Sequence, residues 1–252
     1  MVSIIIPSFN AAATIELAII SVLQQDNDDV EIVVIDGKST DGTLTILDDI
    51  SFRVNAGAFG NKLFRYVSET DKGIYDAMNK GIELSRGDWL FFLGADDILL
   101  PDFSVACNHL LLNNVVYYCN TFLNKHYRVY DGEFNKFKLS IENISHQTIF
   151  YPRSVFSHYK YDLSYKIVAD YMLNLNLCMD KAFGFQYIPL VISVYNESGC
   201  SNHNLDVEFY DNKFNLIKRI LGYKYAIFSS VFDYFHLKFN LICKKQQKRI
   251  LR

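Results

Sequence analysis

Short apolar runs alternate with longer segments of helical periodicity along the first hundred residues. Each run is continuous, which is typical of strands buried on both faces of a parallel sheet. The predicted strands cover 2–6, 30–35, 63–67 and 88–93. The predicted helices between them cover 11–25, 43–50 and 74–84. This β-α-β order predicts an α/β fold with a mostly parallel, Rossmann-like central sheet flanked by helices.

Polar residues follow each predicted strand. In an open α/β sheet the carboxyl ends of parallel strands lie at one edge, and ligands bind in the crevice beyond it. The polar groups that should meet there are residues 7–10, Asp36, the pair Asp71 and Lys72, and the pair Asp96 and Asp97. Because scattered structural acids would not all follow strands, their convergence predicts a binding site.

Asp96 and Asp97 follow the apolar run 90–93 after a small Gly94-Ala95 step. Two carboxylates at the end of a buried strand are costly to desolvate unless a positive charge lies beside them. A divalent cation with oxygen ligands, Mg or Mn, carrying a phosphate would supply that charge. The alternative is a helix cap before the following segment. The polar residues that follow the other strands favour the cation site over the helix cap.

The second half of the chain continues the α/β pattern less regularly. Helices are predicted at 102–113 and 167–179, and strands at 115–122, 127–130, 145–151 and 185–195. Residues 131–145 are polar and mixed, and 196–204 form a polar loop. Since no repeat or low-complexity linker interrupts the pattern, residues 1–203 are predicted to form one domain.

Residues 204–252 have a different pattern and are predicted to be a C-terminal helical extension. Apolar and aromatic residues recur there at helical spacing, and the segment 244–252 is strongly basic without acids. A basic amphipathic helix can lie on an anionic membrane surface. The alternative is a helix packed on the preceding domain, followed by a solvated basic tail.

Composition narrows the classes of protein. The 252 residues suffice for a sizeable core, and a net charge of −3 gives no reason to expect a nucleic-acid partner. Five cysteines without C-x-x-C spacing argue against a disulfide framework or zinc site and favour a reducing cytoplasm. Neither a signal peptide nor a spanning helix is expected. Dinucleotide and P-loop glycine motifs do not occur.

The sequence resembles the family 2 glycosyltransferases, which have the GT-A fold. The resemblance rests on Pro-Ser-Phe-Asn at 7–10 and on the segments 34–43, 68–81 and 87–97. Sparser matches follow at 146–147, 167–171 and 198–201. The resemblance is closest to the subgroup that acts in bacterial polysaccharide assembly. It divides the domain into a donor-binding half, 1–100, and an acceptor half, 101–203.

The resemblance implies roles for the residues at the strand ends. Asp36 would accept a hydrogen bond from the base, and Asp97 would bind the Mn or Mg ion that bridges the diphosphate. The other residues implied to bind the nucleotide-sugar donor are Pro7, Phe9, Asn10, Asp71, Lys72 and Asp96. The family's D-x-D signature stands here as Ala95-Asp96-Asp97, so its first Asp is missing.

The resemblance also implies a base that accepts the proton of the acceptor hydroxyl. Asp170 is the candidate, at the start of a predicted helix, and Asp162 is its nearest competitor. The alternative for Asp170 is a helix acid stabilised by the helix dipole. His146 and His203 are candidate contacts to the acceptor or the diphosphate, and each also has a purely structural interpretation.

These residues together predict an inverting, metal-dependent transferase. The expected donor is a nucleotide sugar, with a UDP-sugar favoured, and the expected acceptor is a saccharide or lipid-linked saccharide. The expected location is the cytoplasm, at the inner face of the membrane if residues 205–252 bind lipid. A catalytically silent nucleotide-sugar-binding protein is the main alternative. A GT-A nucleotidyltransferase is disfavoured because no glycine-rich basic loop follows the first strand.

Overall fold

The computed structural model describes residues 1–130, 132–197 and 206–235. The described strands form one sheet in the order β3-β2-β1-β4-β8-β6-β9-β5, with β7 on β6. They are β1 Val2–Ser8, β2 Val30–Asp36, β3 Leu63–Ser68, β4 Trp89–Phe92, β5 Ile98–Leu99, β6 Val115–Leu123, β7 Arg128–Tyr130, β8 Ile149–Pro152 and β9 Gly184–Tyr195.

Helices lie on both sides of this sheet. They are α1 Ile15–Leu23, α2 Thr43–Asn55, α3 Ile74–Leu84, α4 Asp102–Cys107, α5 Lys136–Ile141, α6 Ala169–Leu177 and α7 Val207–Ile220. The two larger buried apolar clusters among the described residues include, respectively, residues of α1 and α2 and residues of α3, α6 and α7. The predicted fold class, a central sheet flanked by helices, is confirmed.

Strands β1 to β4 have the parallel order that their pattern predicts. β1 pairs in parallel with β2 and β4, and β2 pairs in parallel with β3. The middle of β1 has no exposed surface at Ile4, Ile5 and Ile6, because β1 lies between strands β2 and β4 and is covered by helices on both faces of the sheet. The register places Ser8 opposite Asp36, so these strand ends meet at one edge, as predicted.

The rest of the sheet is mixed rather than parallel. β8 runs antiparallel to both β4 and β6, and β5 runs antiparallel to β9, whereas β6 and β9 are parallel. The short β5 directly follows Asp97 and pairs with the end of β9. This pairing brings the chain after β9 back to the carboxylate pair.

Three local predictions are corrected. The helix expected at 102–113 ends at Cys107, and the strand expected at 145–151 begins only at Ile149. The residues before that strand, His146–Thr148, form a 3₁₀ turn, and the Thr148 side chain donates to the Ser145 carbonyl at 2.7 Å. The polar stretch 131–145 contains α5, which the Asn135 side chain caps by accepting from the Lys138 amide.

The C-terminal extension is partly integrated into the domain. Phe209 and Ile217 of α7 are fully buried, and the Phe209 ring packs against Tyr171 of α6 at 5.5 Å between centroids. Residues 223–235 are also helical. Within the described ranges, no helix combines the length and the hydropathy needed to cross a bilayer.

Candidate active site

Asp36 closes the turn after β2. It is fully buried, and its carboxylate accepts hydrogen bonds from the Ser39 amide at 2.9 Å, the Ser39 hydroxyl at 2.5 Å and the Ser68 hydroxyl at 2.6 Å. A carboxylate offers about four lone-pair positions, so about one remains for a ligand. The structure therefore gives Asp36 the turn-forming role, and its contact with a base stays a prediction.

The loop after β1 is held against the loop after β2. Asn10 has a positive φ of 49°, its amide donates to Ser39 Oγ at 2.7 Å, and its side-chain oxygen accepts from the Thr40 amide at 2.9 Å. The Ala11 amide donates to Thr43 Oγ1 at 2.9 Å. Pro7, by contrast, lies buried within β1. These contacts hold together the two loops that the sequence predicts to bind the nucleotide.

Phe9 and Gly37, in these two loops, meet Asp71. A Cβ atom added to Gly37 would lie 2.7 Å from Asp71 Oδ2 and 3.2 Å from the Phe9 ring, so glycine is required for this close approach. The Phe9 side chain is 65% exposed and is therefore free to stack on a ligand ring. Asp71 also accepts from the Gly73 amide at 2.9 Å, and Lys72 is exposed beside it.

Asp96 and Asp97 both face the Gly94 turn. A Cβ atom on Gly94 would lie 2.6 Å from Asp97 Oδ2 and 3.1 Å from Asp96 Oδ1. Asp97 is 1% exposed, and burial raises the pKa of its carboxyl to about 7. Burial also raises the pKa of Asp96. The Asn196 amide donates to Asp97 Oδ1 at 2.8 Å and anchors the end of β9 here.

The carboxylate pair suits a hard divalent cation. The pKa values of both groups are raised because burial outweighs their hydrogen bonds and, at Asp96, the charge of His146; a cation would supply the missing positive charge. The donor atoms are carboxylate oxygens, which Mg and Mn prefer. In the described ranges, no group of three or more His, Cys, Asp or Glu side chains comes together. A cation here would therefore need further oxygen ligands from a bound phosphate or water.

Asp170 is buried in the first turn of α6 and surrounded by hydrogen-bond donors. Its Oδ1 accepts from the Tyr75 hydroxyl at 2.7 Å and the Tyr171 amide at 2.9 Å, and its Oδ2 accepts from Asn143 Nδ2 at 2.9 Å. Burial raises the pKa of Asp170, while His146 and these hydrogen bonds lower it in part. A carboxylate with a raised pKa is a stronger base than an exposed one.

A chain of side-chain amides supports Asp170 from behind. Asn174 Nδ2 donates to Asn143 Oδ1 at 2.9 Å, and Asn174 Oδ1 accepts from the Tyr151 hydroxyl at 2.8 Å. Asn174 is fully buried. Because each amide uses both its donor and its acceptor, the network fixes the orientation of Asn143 and thereby the rotamer of Asp170.

His146 lies beside Asp170 and within electrostatic reach of Asp96. Its Nδ1 is 3.9 Å from Asp170 Oδ2, and the charge of Asp96 also acts on it. Burial lowers the pKa of His146, so the ring is expected to be neutral at pH 7. Its Nε2 and the Nε2 of Gln147 are buried and make no hydrogen bond to any described residue. The structure thus brings His146 to the junction of the two halves, and its contact with a ligand stays a prediction.

Two other sequence candidates are not part of this cluster. Asp162 is exposed and accepts from the amide and the hydroxyl of Ser164, so it forms its own turn. His203 lies outside the described residues.

Sequence reasoning missed the side chains that support Asp170. Tyr75 and Asn143 come from segments far away in the chain, and no local signal marks them. Asn174 carried a usable signal, since it stands four residues after Asp170 and so shares its helix face. Gln147 was included only as part of the match at 146–147, without a role of its own.

The chain matches the model of Glycosyl transferase family 2 over residues 3–157. A PGL/p-HBAD biosynthesis glycosyltransferase of Mycobacterium bovis is 36% identical over 217 residues, which cover 83% of this chain and 82% of that relative. An uncharacterized glycosyltransferase of Haemophilus influenzae is 29% identical over 140 residues, covering 55% of this chain and 52% of that protein.

Solved structures of glycosyltransferases resemble the fold at low sequence identity. S. aureus TarS 1–349 in complex with UDP-GlcNAc superposes with a TM-score of 0.64 at 17% identity, covering 86% of this chain and 65% of TarS 1–349. The mannosyltransferase PcManGT of Pyrobaculum calidifontis, in complex with GDP-Man and Mn2+, has a TM-score of 0.60 at 20% identity, covering 77% and 56%. These likenesses show the GT-A fold. Because the family model spans more than half of the chain and the mycobacterial relative matches most of it, the protein belongs to glycosyl transferase family 2.

Proposed function

We propose that this family 2 glycosyltransferase moves a sugar from a nucleotide-sugar donor to an acceptor hydroxyl with inversion at the anomeric carbon. The main support is that a buried, oriented carboxylate, Asp170, lies beside His146, which is also within electrostatic reach of Asp96 in the carboxylate pair. Inverting transfer needs these two functions on opposite sides of the sugar, a base for the acceptor and a counter-charge for the departing diphosphate.

The donor is proposed to bind along the edge formed by the loops after β1, β2 and β3. Phe9 would stack on the base, and Asp36, held by Ser39 and Ser68, would accept a hydrogen bond from the base N–H through its remaining lone pair. Asp71 and Lys72 would flank the diphosphate and ribose. A UDP-sugar is favoured because a carboxylate complements the imide N–H of uracil, and the TarS structure that shares this fold holds UDP-GlcNAc.

Asp97 is proposed to bind a Mn or Mg ion, with Asp96 contacting the donor sugar or ribose. PcManGT, which shares the fold, is in complex with Mn2+. When bound, the cation would offset negative charge on the diphosphate as the glycosidic bond breaks. The raised pKa of Asp97, about 7, supports the assignment, because a cation would restore the ionised form at neutral pH.

Asp170 is proposed to act as the general base. The acceptor oxygen forms a bond to the anomeric carbon, its proton passes to the Asp170 carboxylate, and the bond between that carbon and the diphosphate oxygen breaks. The hydrogen bonds from Tyr75 and Asn143 hold the carboxylate in one orientation. His146, neutral and buried, is placed to donate one hydrogen bond to the acceptor or the diphosphate.

The acceptor is proposed to be a saccharide or lipid-linked saccharide, in the assembly of a bacterial surface glycolipid or polysaccharide. The mycobacterial relative is named for PGL/p-HBAD biosynthesis, which supports a glycolipid context. Peripheral contact with the inner face of the membrane is part of this proposal. Tyr223, Ile227, Val231 and Phe235, four residues apart, present exposed apolar side chains along one helix face, and residues 236–252 hold six Lys or Arg and no acid.

Vesicle cosedimentation tests the membrane contact. The full chain should bind phosphatidylglycerol vesicles at low salt and release them at high salt, and phosphatidylcholine vesicles should bind less. Ile227→Glu with Val231→Glu should weaken binding. Leu111→Glu, at an 80% exposed site elsewhere, is the matched control. Equal binding by the double variant would refute a contact through this face.

Nucleotide release from a panel of UDP- and GDP-sugars with Mn tests the catalytic proposal. Asp170→Asn should lower transfer to an acceptor by about 10²–10⁴-fold, the usual contribution of a positioned general base. Asp162→Asn is the control, because that acid lies in an exposed turn, and it should leave turnover unchanged. Wild-type turnover in Asp170→Asn would remove the base assignment, and donor binding without any turnover would favour the silent-binder alternative.

A further inference from the structure

Asp206, just before α7, binds three consecutive backbone amides of a distant segment. Its Oδ1 accepts from the Lys166 amide at 3.0 Å, and its Oδ2 accepts from the Ile167 amide at 2.7 Å and the Val168 amide at 3.0 Å. These residues are 38 to 40 positions away in the sequence. The contact is therefore a tertiary one, made by the C-terminal extension onto the chain that leads into α6.

Those three amides lead directly into the start of α6. Val168 is the N-cap residue of that helix, and its own side chain provides no capping hydrogen bond. The amides at a helix start have no partners within the helix and need an acceptor from elsewhere. Asp206 supplies one, and its negative charge also suits the positive end of the helix dipole.

The same segment holds Asp170. Asp170 is the second residue of α6, and the Tyr75 hydroxyl lies within hydrogen-bonding distance of both Asp170 Oδ1, at 2.7 Å, and the Ile167 carbonyl, at 2.5 Å. The Ile167 backbone thus donates its N–H to Asp206, and its carbonyl shares the single Tyr75 hydroxyl proton with Asp170. A shift of this segment would move Tyr75 and Asp170 together.

Asp206 also begins α7. Its backbone carbonyl accepts from the Phe209 and Tyr210 amides at 3.0 and 3.2 Å. The Phe209 ring then packs on Tyr171, the residue after Asp170. One residue therefore joins the start of α7, through its backbone, to the start of α6, through its side chain.

We propose that Asp206 is a positioning residue for Asp170, through which the C-terminal extension fixes the geometry of the base. The inference rests on the proposed function, in which Asp170 accepts the acceptor proton. Asp206 itself touches no substrate in this account. Its contribution is to hold the 166–168 segment, so its loss should slow transfer without weakening donor binding.

Amide hydrogen exchange of the full chain tests the structural half of the proposal. Asp206→Ala should speed exchange over 166–171 by about tenfold, equivalent to about 1.4 kcal/mol, which lies within the range for the loss of a helix cap. Asp206→Asn keeps one acceptor oxygen and should give a smaller change. Asp180→Ala is the matched control: Asp180 follows the other end of α6 and accepts from the Ala182 amide and the Tyr159 hydroxyl. Unchanged exchange over 166–171 in Asp206→Ala would overturn the proposal.

Steady-state kinetics with the UDP-sugar that the wild type turns over test the functional half. Asp206→Ala should lower kcat by about tenfold or more with the donor KM within about twofold, and Asp206→Asn should restore part of kcat. Asp180→Ala, at an equal loss of Tm, should keep its kcat. An equal kcat loss in Asp180→Ala would reduce Asp206 to a stability role and overturn the proposal. If the wild type turns over no UDP-sugar, the proposed function fails, and hydrogen exchange alone decides whether Asp206 holds the segment.

Discussion

Asp170 shows how burial and hydrogen bonding together set the chemistry of one side chain. Burial raises the pKa of this carboxyl, because it disfavours the charged form. The Tyr75 hydroxyl and the Tyr171 amide stabilise the ionised form, so the pKa is raised less than burial alone would raise it. With its pKa still raised, the group is a stronger base than an exposed aspartate.

Tyr75→Phe should shift the acid limb of the pH–rate profile to higher pH. The tyrosine donates to the ionised carboxylate, so its removal raises the pKa of Asp170, and a higher pH is then needed to produce the active base. The measurement is kcat/KM against pH. Tyr66→Phe, which removes a hydroxyl bonded to the exposed Asp48, is the control and should leave the profile in place. An acid limb that stays put or moves to lower pH in Tyr75→Phe would contradict the assignment.

For single residues, the sequence indicated which acids were candidate bases but not which groups surround them in the folded protein. Asp162 and Asp170 are both followed by helix- or turn-forming residues, and only the folded chain shows one exposed in its turn and the other buried beside Tyr75 and Asn143. The partners come from segments 27 and 95 residues away, so no local pattern encodes them. Asp36 was correctly placed at a strand end, but its three hydrogen bonds from two serines were not foreseen.

Among the elements, the turn after β4 has a tight steric requirement at the carboxylate pair. Gly94 allows Asp96 and Asp97 to fold back over the turn, where a Cβ atom would lie 2.6 Å from Asp97 Oδ2. Real Cβ atoms do not approach an oxygen this closely, so a larger residue must displace the carboxylate. This requirement is independent of whether an ion is bound.

Gly94→Ala should therefore reduce Mn-dependent UDP binding by about tenfold or more while the fold persists, because the displaced carboxylate can no longer complete an oxygen site. Gly184→Ala in β9 is the matched control. Its added Cβ would lie 3.5 Å from Val115, an ordinary contact, and alanine costs less conformational entropy than glycine. Isothermal calorimetry and thermal melting measure both variants. Wild-type UDP affinity in Gly94→Ala would show that the turn does not position the metal ligand.

The elements of the donor half could be predicted because each strand is an uninterrupted apolar run between helices. The acceptor half was harder, because its strands return antiparallel and its short elements are polar. The sequence pattern runs from His146–Thr148 into β8 without a break. These three residues nevertheless form a 3₁₀ turn, in which the Thr148 side chain donates to the Ser145 carbonyl. α5 lies in a polar stretch and depends on the Asn135 cap and on packing against residues distant in sequence.

For the whole molecule, the boundary predicted at 203/204 does not separate two independent packing units among the described residues. Phe209, Ile217 and Leu221 bury their side chains in the cluster that also contains residues of α3 and α6. Burying each is worth about 1.5–3 kcal/mol, which is a large share of the 5–15 kcal/mol that typically stabilises a domain. The extension thus contributes to the stability of the catalytic domain.

A chain ending at residue 203 should therefore melt far below the full chain or fail to fold. A chain ending at 235 keeps the α7 contacts and should melt within a few degrees of the full chain. Circular dichroism and calorimetry on the two truncations measure this difference. Equal melting temperatures for the 1–203 chain and the full chain would show that α7 is an appendage after all.

In the proposed mechanism Asp97 serves donor binding, whereas Asp170 serves proton abstraction and is not needed for donor binding. Isothermal calorimetry of UDP with and without Mn on the wild type, Asp97→Asn and Asp170→Asn tests it most directly. The wild type should bind UDP more tightly with Mn, Asp97→Asn should lose at least about tenfold of that Mn-dependent affinity, equivalent to about 1.4 kcal/mol, and Asp170→Asn should bind as the wild type does. Full Mn-dependent affinity in Asp97→Asn, or its loss in Asp170→Asn, would contradict the account.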